Sequence, residues 1–357
     1  MKKKHSSVLR SVTIILVLIV LIVAGAIYGV KLSLSPVSKE SEIERFVIEE
    51  NSSVKQVLKD LKEEDLIRND TVGYYYLRFI DGGHFKAGKY DIDRSMNFNE
   101  ICDYISDSKN AVLDVVSITF KEGEWLKEFA YKIYQNTNLA YNDIIEYWNN
   151  PNVIRGYMDE YPFLTEDIFN EDARYLLEGY LFPNTYEFMK ETTLDEVTRK
   201  FLNETNRIYE KYKDDFDNSD LSIHEVFTLA SVVQYEAANV EDMQMIAGVF
   251  FNRLAEGMPL QSSVTVCYSM DIDRQNDDWR LCETNSDYDS PYNTYKNKGL
   301  TPGPILNPGE EAIRAVLEPT ESEYLFFMAD VCHDGKVYYA KDYATHLSYV
   351  KKYLDCY

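Results

Sequence analysis

Histidine and cysteine are both scarce in this chain, with five of each in 357 residues. His5, His84, His224, His333 and His346 stand far apart, so no zinc-ligand spacing arises and no metal is expected. The five cysteines, Cys102, Cys267, Cys282, Cys332 and Cys356, are odd in number and scattered, which excludes an evident disulfide framework. Cys267 and Cys282 flank an acidic loop and either pair across its neck or stay isolated buried thiols. That loop, Asp271 to Asp278, begins like a calcium site, but Asn276 and Cys282 replace the required Gly and Glu, so a solvated surface loop is expected. A G-x-S-x-G elbow, an H-E-x-x-H pair and a Gly-rich phosphate loop are all missing, and no cofactor is expected. Basic residues are too few: 37 Lys and Arg face 60 Asp and Glu, a net charge of -23. Phosphate backbones would repel such a chain, which excludes nucleic acid as a partner and does not favour anionic lipid. A saccharide surface remains open.

What is present begins with Ser11 to Val30, SVTIILVLIVLIVAGAIYGV, a run without a charge. As a helix it spans roughly 30 Å, the hydrocarbon thickness of a bilayer. Lys2, Lys3, Lys4 and Arg10 precede it with no acidic residue among them, so the short N-terminus is expected in the cytosol and the remainder outside. The competing reading is a signal peptide cut near Ala24-Gly25-Ala26, against which the apolar run continues through Ile27, Tyr28 and Val30.

Beyond the run, 357 residues exceed one ordinary core and two folded units are expected. Residues 31–43 read as a spacer. Strands are predicted at Phe46 to Ile48 and near Lys89 to Ile92. Helices are predicted from Val54, over Val72 to Ile80 and over Phe98 to Ile105, with a further strand around Val112 to Phe120. This order describes a small α+β module, and its Tyr74-Tyr75-Tyr76 cluster reads as packing in preference to sugar stacking. From Lys121 the pattern is mostly helical, with helices over Trp125 to Tyr134, Asp143 to Trp148 and Leu194 to Tyr212.

Ser222-Ile223-His224-Glu225 has capping-box spacing and opens a helix to about Ala238. Val226, Ala230, Val233 and Ala237 share an apolar face on a helical wheel, with Glu236 at its shoulder. A carboxyl there is expected to be partly desolvated and to hold its proton, the property of a glycosidic general acid. The bland reading pairs Glu236 with Arg253 in an ion pair.

The segments resemble, in order, those of the endolytic murein transglycosylases, the MltG or YceG-like family. His84-Phe85-Lys86-Ala87-Gly88-Lys89-Tyr90 resembles the family's LysM-like module, Glu122-Gly123 the start of its catalytic region, and Glu178-Gly179-Tyr180-Leu181-Phe182-Pro183-Asn184-Thr185-Tyr186 its E-G-x-x-x-P-x-T-Y segment. Ala230-Ser231-Val232-Val233-Gln234-Tyr235-Glu236 is similar to A-S-I-[VI]-E-x-E, whose second Glu is the family's catalytic one and falls on Glu236. Gly257 to Gln261, Ser290 to Tyr295 and Asn307-Pro308-Gly309 complete the series. There are departures. Gln234 replaces the first Glu, Ser262-Ser263-Val264 stands where T-D-P is usual, and Leu347 replaces the Asn after His346.

The resemblance implies an α+β protein in ordered pieces. These are a cytoplasmic tail at 1–10, a transmembrane helix at 11–30, a linker at 31–43, a LysM-like module at 44–120 and a mostly helical, mixed α/β catalytic domain at 121–357. It implies peptidoglycan glycan strands as substrate and cell-wall synthesis proteins as partners. It also implies lytic cleavage between N-acetylmuramic acid and N-acetylglucosamine to 1,6-anhydro ends, with Glu236 as acid and then base. Gln261, Tyr292, Asn293 and Tyr295 are the candidates for glycan binding, by ring faces and amide hydrogen bonds, with loop architecture as their other reading. A catalytically weak, glycan-binding membrane scaffold is the alternative function.

Overall fold

Side-chain caps start seven of the α-helices, each where the sequence puts Ser, Thr or Asn before the first turn. The computed structural model describes the chain apart from residues 1, 50–51, 81, 113, 238, 273–277, 279, 331, 334 and 354–357, and apart from the side chains of 2–12. Most of the Asp271 to Asp278 loop therefore lies outside the described residues. The chain divides into two units, Met1–Asp114 and Val115–Tyr357.

The first unit opens with α1 (Lys2–Ser33), of which Thr13–Ser33 is long and apolar enough to cross a membrane. It continues with β1 (Ile43–Ile48), α2 (Val54–Glu63), α3 (Asp70–Phe79), β2 (Gly88–Asp93) and α4 (Phe98–Ser106). Ser53, Asn69 and Asn97 accept the capping hydrogen bonds of α2, α3 and α4. β1 and β2 pair antiparallel with Phe46 opposite Tyr90, and both rings enter a core with Val57, Leu58, Leu61, Leu77 and Ile101. Tyr74 and Tyr76 pack against that core, whereas Tyr75 stands in solvent.

Two boundaries differ from the sequence reading. Residues 31–43 do not form a free spacer: α1 runs on to Ser33, Leu34 packs on the core, and its carbonyl accepts from the Phe98 amide at 3.1 Å. Arg68 adds hydrogen bonds to the carbonyls of Pro36 and Val37. The strand expected to close the first module, β3 (Val115–Thr119), belongs to the second unit, because its partner is β4 (Thr185–Met189), with Ile118 opposite Tyr186.

The second unit is mostly helical: α5 (Leu126–Asn136), α6 (Tyr141–Trp148), α7 (Pro151–Met158), α8 (Leu194–Lys211), α9 (Lys213–Asn218), α10 (Ile223–Glu236), α11 (Val240–Ala255), α12 (Ser263–Met270), α13 (Arg280–Thr284), α14 (Glu310–Leu317) and α15 (Tyr343–Tyr353). A second hairpin joins β5 (Phe326–Ala329) to β6 (Val337–Ala340). Aromatic rings fill the centre: Phe120 meets Phe129 and Phe201 at 4.7 and 4.9 Å, and Phe163, Tyr180 and Phe227 continue the cluster to α10. α10 packs against both α11 and α14, so it is the buried rod around which the unit is built.

Candidate active site

α10 starts at its capping box, with Ser222 and Glu225 exchanging side-chain-to-amide hydrogen bonds. From Val226 to Val233 every residue is buried. The helix is therefore enclosed, unlike the one-faced helix expected from its wheel, because neighbours cover it all round. Glu236 is its last residue, and Ala237 has already left helical geometry. The half-burial of Glu236 comes from standing where the rod emerges from the core, not from a shoulder position.

Ser262, buried at the start of α12, donates its hydroxyl to Glu236 Oε1 at 2.6 Å. Ser262 is itself fixed: its amide donates to Thr294 Oγ1 at 3.1 Å, and its carbonyl accepts from the Thr265 hydroxyl at 2.8 Å. Gln261 takes a left-handed φ of 53°, and its amide donates to the Thr294 carbonyl. The segments Gly257 to Gln261 and Ser290 to Tyr295 are thus sewn together beside the acid. Arg253 does not take the role of ion-pair partner. Its guanidinium donates to the carbonyls of Leu325, Pro259 and Leu260 and to Gln261 Oε1, fixing the turn that carries Gln261. Burial lowers the Arg253 pKa, and the charges of Tyr295 and Glu236 oppose that shift through space.

Of the four glycan-binding candidates, Gln261 and Tyr295 stand at the acid. Tyr295 is half-buried, and its phenol is pushed up to about 12 by burial first and by Glu236 second. Tyr292 and Asn293 are placed differently, inside the loop. Tyr292 is 4% exposed, packs on Tyr268, and its hydroxyl accepts from the Arg174 amide. Asn293 is wholly buried; its amide donates to the carbonyls of Ser286 and Tyr288 and its Oδ1 accepts from the Tyr295 amide. Both residues shape the loop that presents Tyr295.

The remaining motif residues build a frame. Glu178 is wholly buried, accepting from the Leu126 amide at 2.7 Å and from the Tyr268 hydroxyl at 3.3 Å. Burial pushes it up to about 8. Asn307, also buried, accepts from the amides of Gly179 and Leu181 and donates to the Glu124 carbonyl. Gly179 has φ +82° and lies so close to Pro304 that a side chain would collide with it. Gln234 faces this frame: its Oε1 accepts from the Gly309 amide at 2.8 Å. Desolvation, and then Glu311, raise the pKa of the nearby Glu122 carboxyl, and Gln234 acts to lower it. The carboxylate beside Gln234 is therefore Glu122. His224 is another frame residue, bonded to the Tyr180 hydroxyl and the Pro302 carbonyl, with its pKa lowered by burial. Sequence reasoning missed Ser262 as the partner of Glu236. Its only signal was its place in the Ser262-Ser263-Val264 departure, where a hydroxyl is kept at the first position.

Cys267 and Cys282 form a disulfide that ties α12 to α13, which settles the two readings of the pair. Cys332 is also disulfide-bonded, and Cys102 is a buried free thiol. Among the described residues no group of His, Cys, Asp or Glu could hold a metal ion.

A mostly helical unit in which one buried helix delivers a carboxyl to a rim of hydroxyl, amide and phenol groups defines the class by its structure. Comparison with known proteins gives this class a family. The YceG-like family model matches residues 46–352, and the chain belongs to that family. A protein of Bacillus subtilis (strain 168) named endolytic murein transglycosylase is 33% identical over 338 residues, covering 94% of this chain and 92% of its own. One of the same name from Streptococcus pneumoniae serotype 2 (strain D39 / NCTC 7466) is 32% identical over 352 residues, covering 93% of this chain and 63% of its own. The crystal structure of a yceG-like protein from Listeria monocytogenes is similar in fold, with a TM-score of 0.60 and 30% identity over 87% of this chain and 99% of that one.

Proposed function

We propose that this chain cleaves peptidoglycan glycan strands internally as a lytic transglycosylase, with Glu236 as its catalytic acid. The observation that carries the reading is the Glu236 carboxyl at the exposed end of a buried helix, its Oε1 held by Ser262 at 2.6 Å. Family membership and relatives named endolytic murein transglycosylase support the enzyme class and the murein substrate.

In this mechanism Glu236 gives its proton to the glycosidic oxygen linking N-acetylmuramic acid to N-acetylglucosamine as the C1–O bond breaks. The muramyl O6 closes on C1, and its proton passes to the Glu236 carboxylate. A 1,6-anhydro end forms, no water is consumed, and the acid is regenerated. A second catalytic carboxylate is unnecessary because the substrate supplies the nucleophile, unlike ordinary glycoside hydrolysis. Ser262 fixes one carboxyl oxygen, and Gln261 and Tyr295 offer an amide and a ring to the sugar. The first unit serves as a LysM-like module, α1 anchors the chain in the cell membrane, and both units lie outside the cytoplasm near the wall-synthesis proteins.

Glu236→Gln tests the assignment, since it keeps the shape and removes the transferable proton. Release of anhydromuramyl products from purified glycan strands by the full chain in detergent should fall by about 10²–10⁴-fold, with thermal stability retained. A folded variant releasing them at the parent rate would sink the assignment. A scaffold with no cleavage role predicts no anhydro ends even from the parent chain.

A further inference from the structure

We propose that the outward face of α3, formed by Tyr75 and Phe79 with Ile80 after it, docks into the outer interface of the membrane that α1 spans. The proposal rests on α1 as a membrane span. Tyr75 and Phe79 are four residues apart and so share one helix face. The opposite face, through Gly73 and Leu77, is the one buried in the core, so α3 is apolar on both sides. Tyr75 is 64% exposed, Ile80 50% and Phe79 89%, and Phe79 exceeds every large hydrophobic side chain described in the apolar span. Exposed apolar side chains grouped on one flank in this way mark a contact surface.

The position of the patch selects the occupant. α3 packs against α1, and the end of α1 is joined to the module without slack. Ser33 ends the helix, Leu34 already packs against the core, and the Phe98 amide and Arg68 guanidinium hold the carbonyls of Leu34 and Pro36. A module held at the last turn of the span cannot stand off from the lipid surface, so the flank of α3 lies at headgroup level. Tyrosine favours that level, and the phenyl and butyl groups of Phe79 and Ile80 gain by leaving water for the acyl boundary. Phe79 and Ile80 offer a saccharide no hydrogen-bonding group. The acidic balance of the chain disfavours attraction to anionic headgroups, so the contact is apolar and should appear in zwitterionic vesicles.

The test uses the full chain in phosphatidylcholine vesicles with a nitroxide label on Phe79→Cys, and separately on Ile80→Cys. Leu21→Cys serves as the span reference and Asp214→Cys as the water reference. Collision with oxygen and with a water-soluble nickel chelate is measured by power saturation. The Phe79 and Ile80 labels should favour oxygen over nickel at least severalfold more than the Asp214 label, at an interfacial depth short of Leu21. Labels at both α3 positions that match Asp214, with Leu21 in lipid, would overturn the proposal and leave the span intact. A Leu21 label open to nickel would overturn the span and the proposal with it. Labels that are open to nickel in vesicles but are immobilised by purified glycan strands would replace lipid with saccharide as the occupant.

Discussion

Glu178 has no contact with water, so its surroundings decide which protonation state is cheaper. Burial holds it at about 8 against an ordinary value of 4.5, and the Leu126 amide and Tyr268 hydroxyl only partly offset that. The folded pKa is raised, so the folded state retains a proton the unfolded chain releases. Stability from this group is complete below the unfolded value and is lost as pH rises through about 8. The loss is on the order of 5 kcal/mol at the alkaline end. Glu178→Gln mimics the neutral form, so its melting temperature should fall much less than the parent's between pH 5 and 9. Equal slopes would show that Glu178 does not govern the alkaline limb. Under the proposed function the Ser262 hydroxyl acts through Glu236. A hydrogen bond to a charged group contributes about 1.5–3 kcal/mol, so Ser262→Ala should lower kcat roughly 10–100-fold with KM little changed. Ser262→Thr keeps the hydroxyl and should restore most of the rate. A Ser262→Ala variant that loses melting temperature but not kcat would reduce Ser262 to a structural contact of Glu236.

At the scale of elements, α12 carries both the Ser262 contact and one end of the Cys267–Cys282 disulfide. The bridge closes a loop of sequence separation 15, for which chain entropy predicts about 3 kcal/mol. The paired change of Cys267 and Cys282 to Ser should therefore lower unfolding stability in denaturant titration by about that amount. Double substitution is the cleaner measurement, since reductant would also act on the Cys332 disulfide. An unchanged midpoint would mean that the neighbouring packing already holds the loop. The helices were the legible elements: α2, α3, α8 and α10 begin where a capping Ser, Asn or Thr precedes an apolar stripe. Legibility failed where composition has two uses. A Tyr- and Asn-rich segment suits a sugar or a loop interior equally, and only the bonds from Asn293 to Ser286 and Tyr288 reveal the second. The enclosure of α10 was hidden as well, because a wheel cannot show neighbours from distant α11 and α14. The helix that ends at Glu236 was legible through its capping box, but Ser262 as the partner of Glu236 was not, since that contact crosses 26 residues of chain.

For the whole molecule the proposed arrangement is across the membrane. Lys2, Lys3, Lys4 and Arg10 precede a charge-free run, and by the positive-inside rule the proposed topology puts the residues beyond it outside. Disulfides persist in oxidising compartments, and the second unit carries Cys267–Cys282 and a bonded Cys332, which supports the same side. The structure also bears on cleavage near Ala24-Gly25-Ala26. Helix α1 runs unbroken through that site to Ser33, and the next residue, Leu34, is packed into the first unit. A cut there would free an apolar stub still fixed to the module, which argues for an anchor over a removed signal. Protease added to intact cells lacking an outer membrane should remove both folded units and leave a short membrane-bound fragment. The full-length chain should be recovered from the membrane fraction with its span attached. A mature N-terminus at Ile27, or units untouched by external protease but digested after lysis, would overturn the anchored, outward topology.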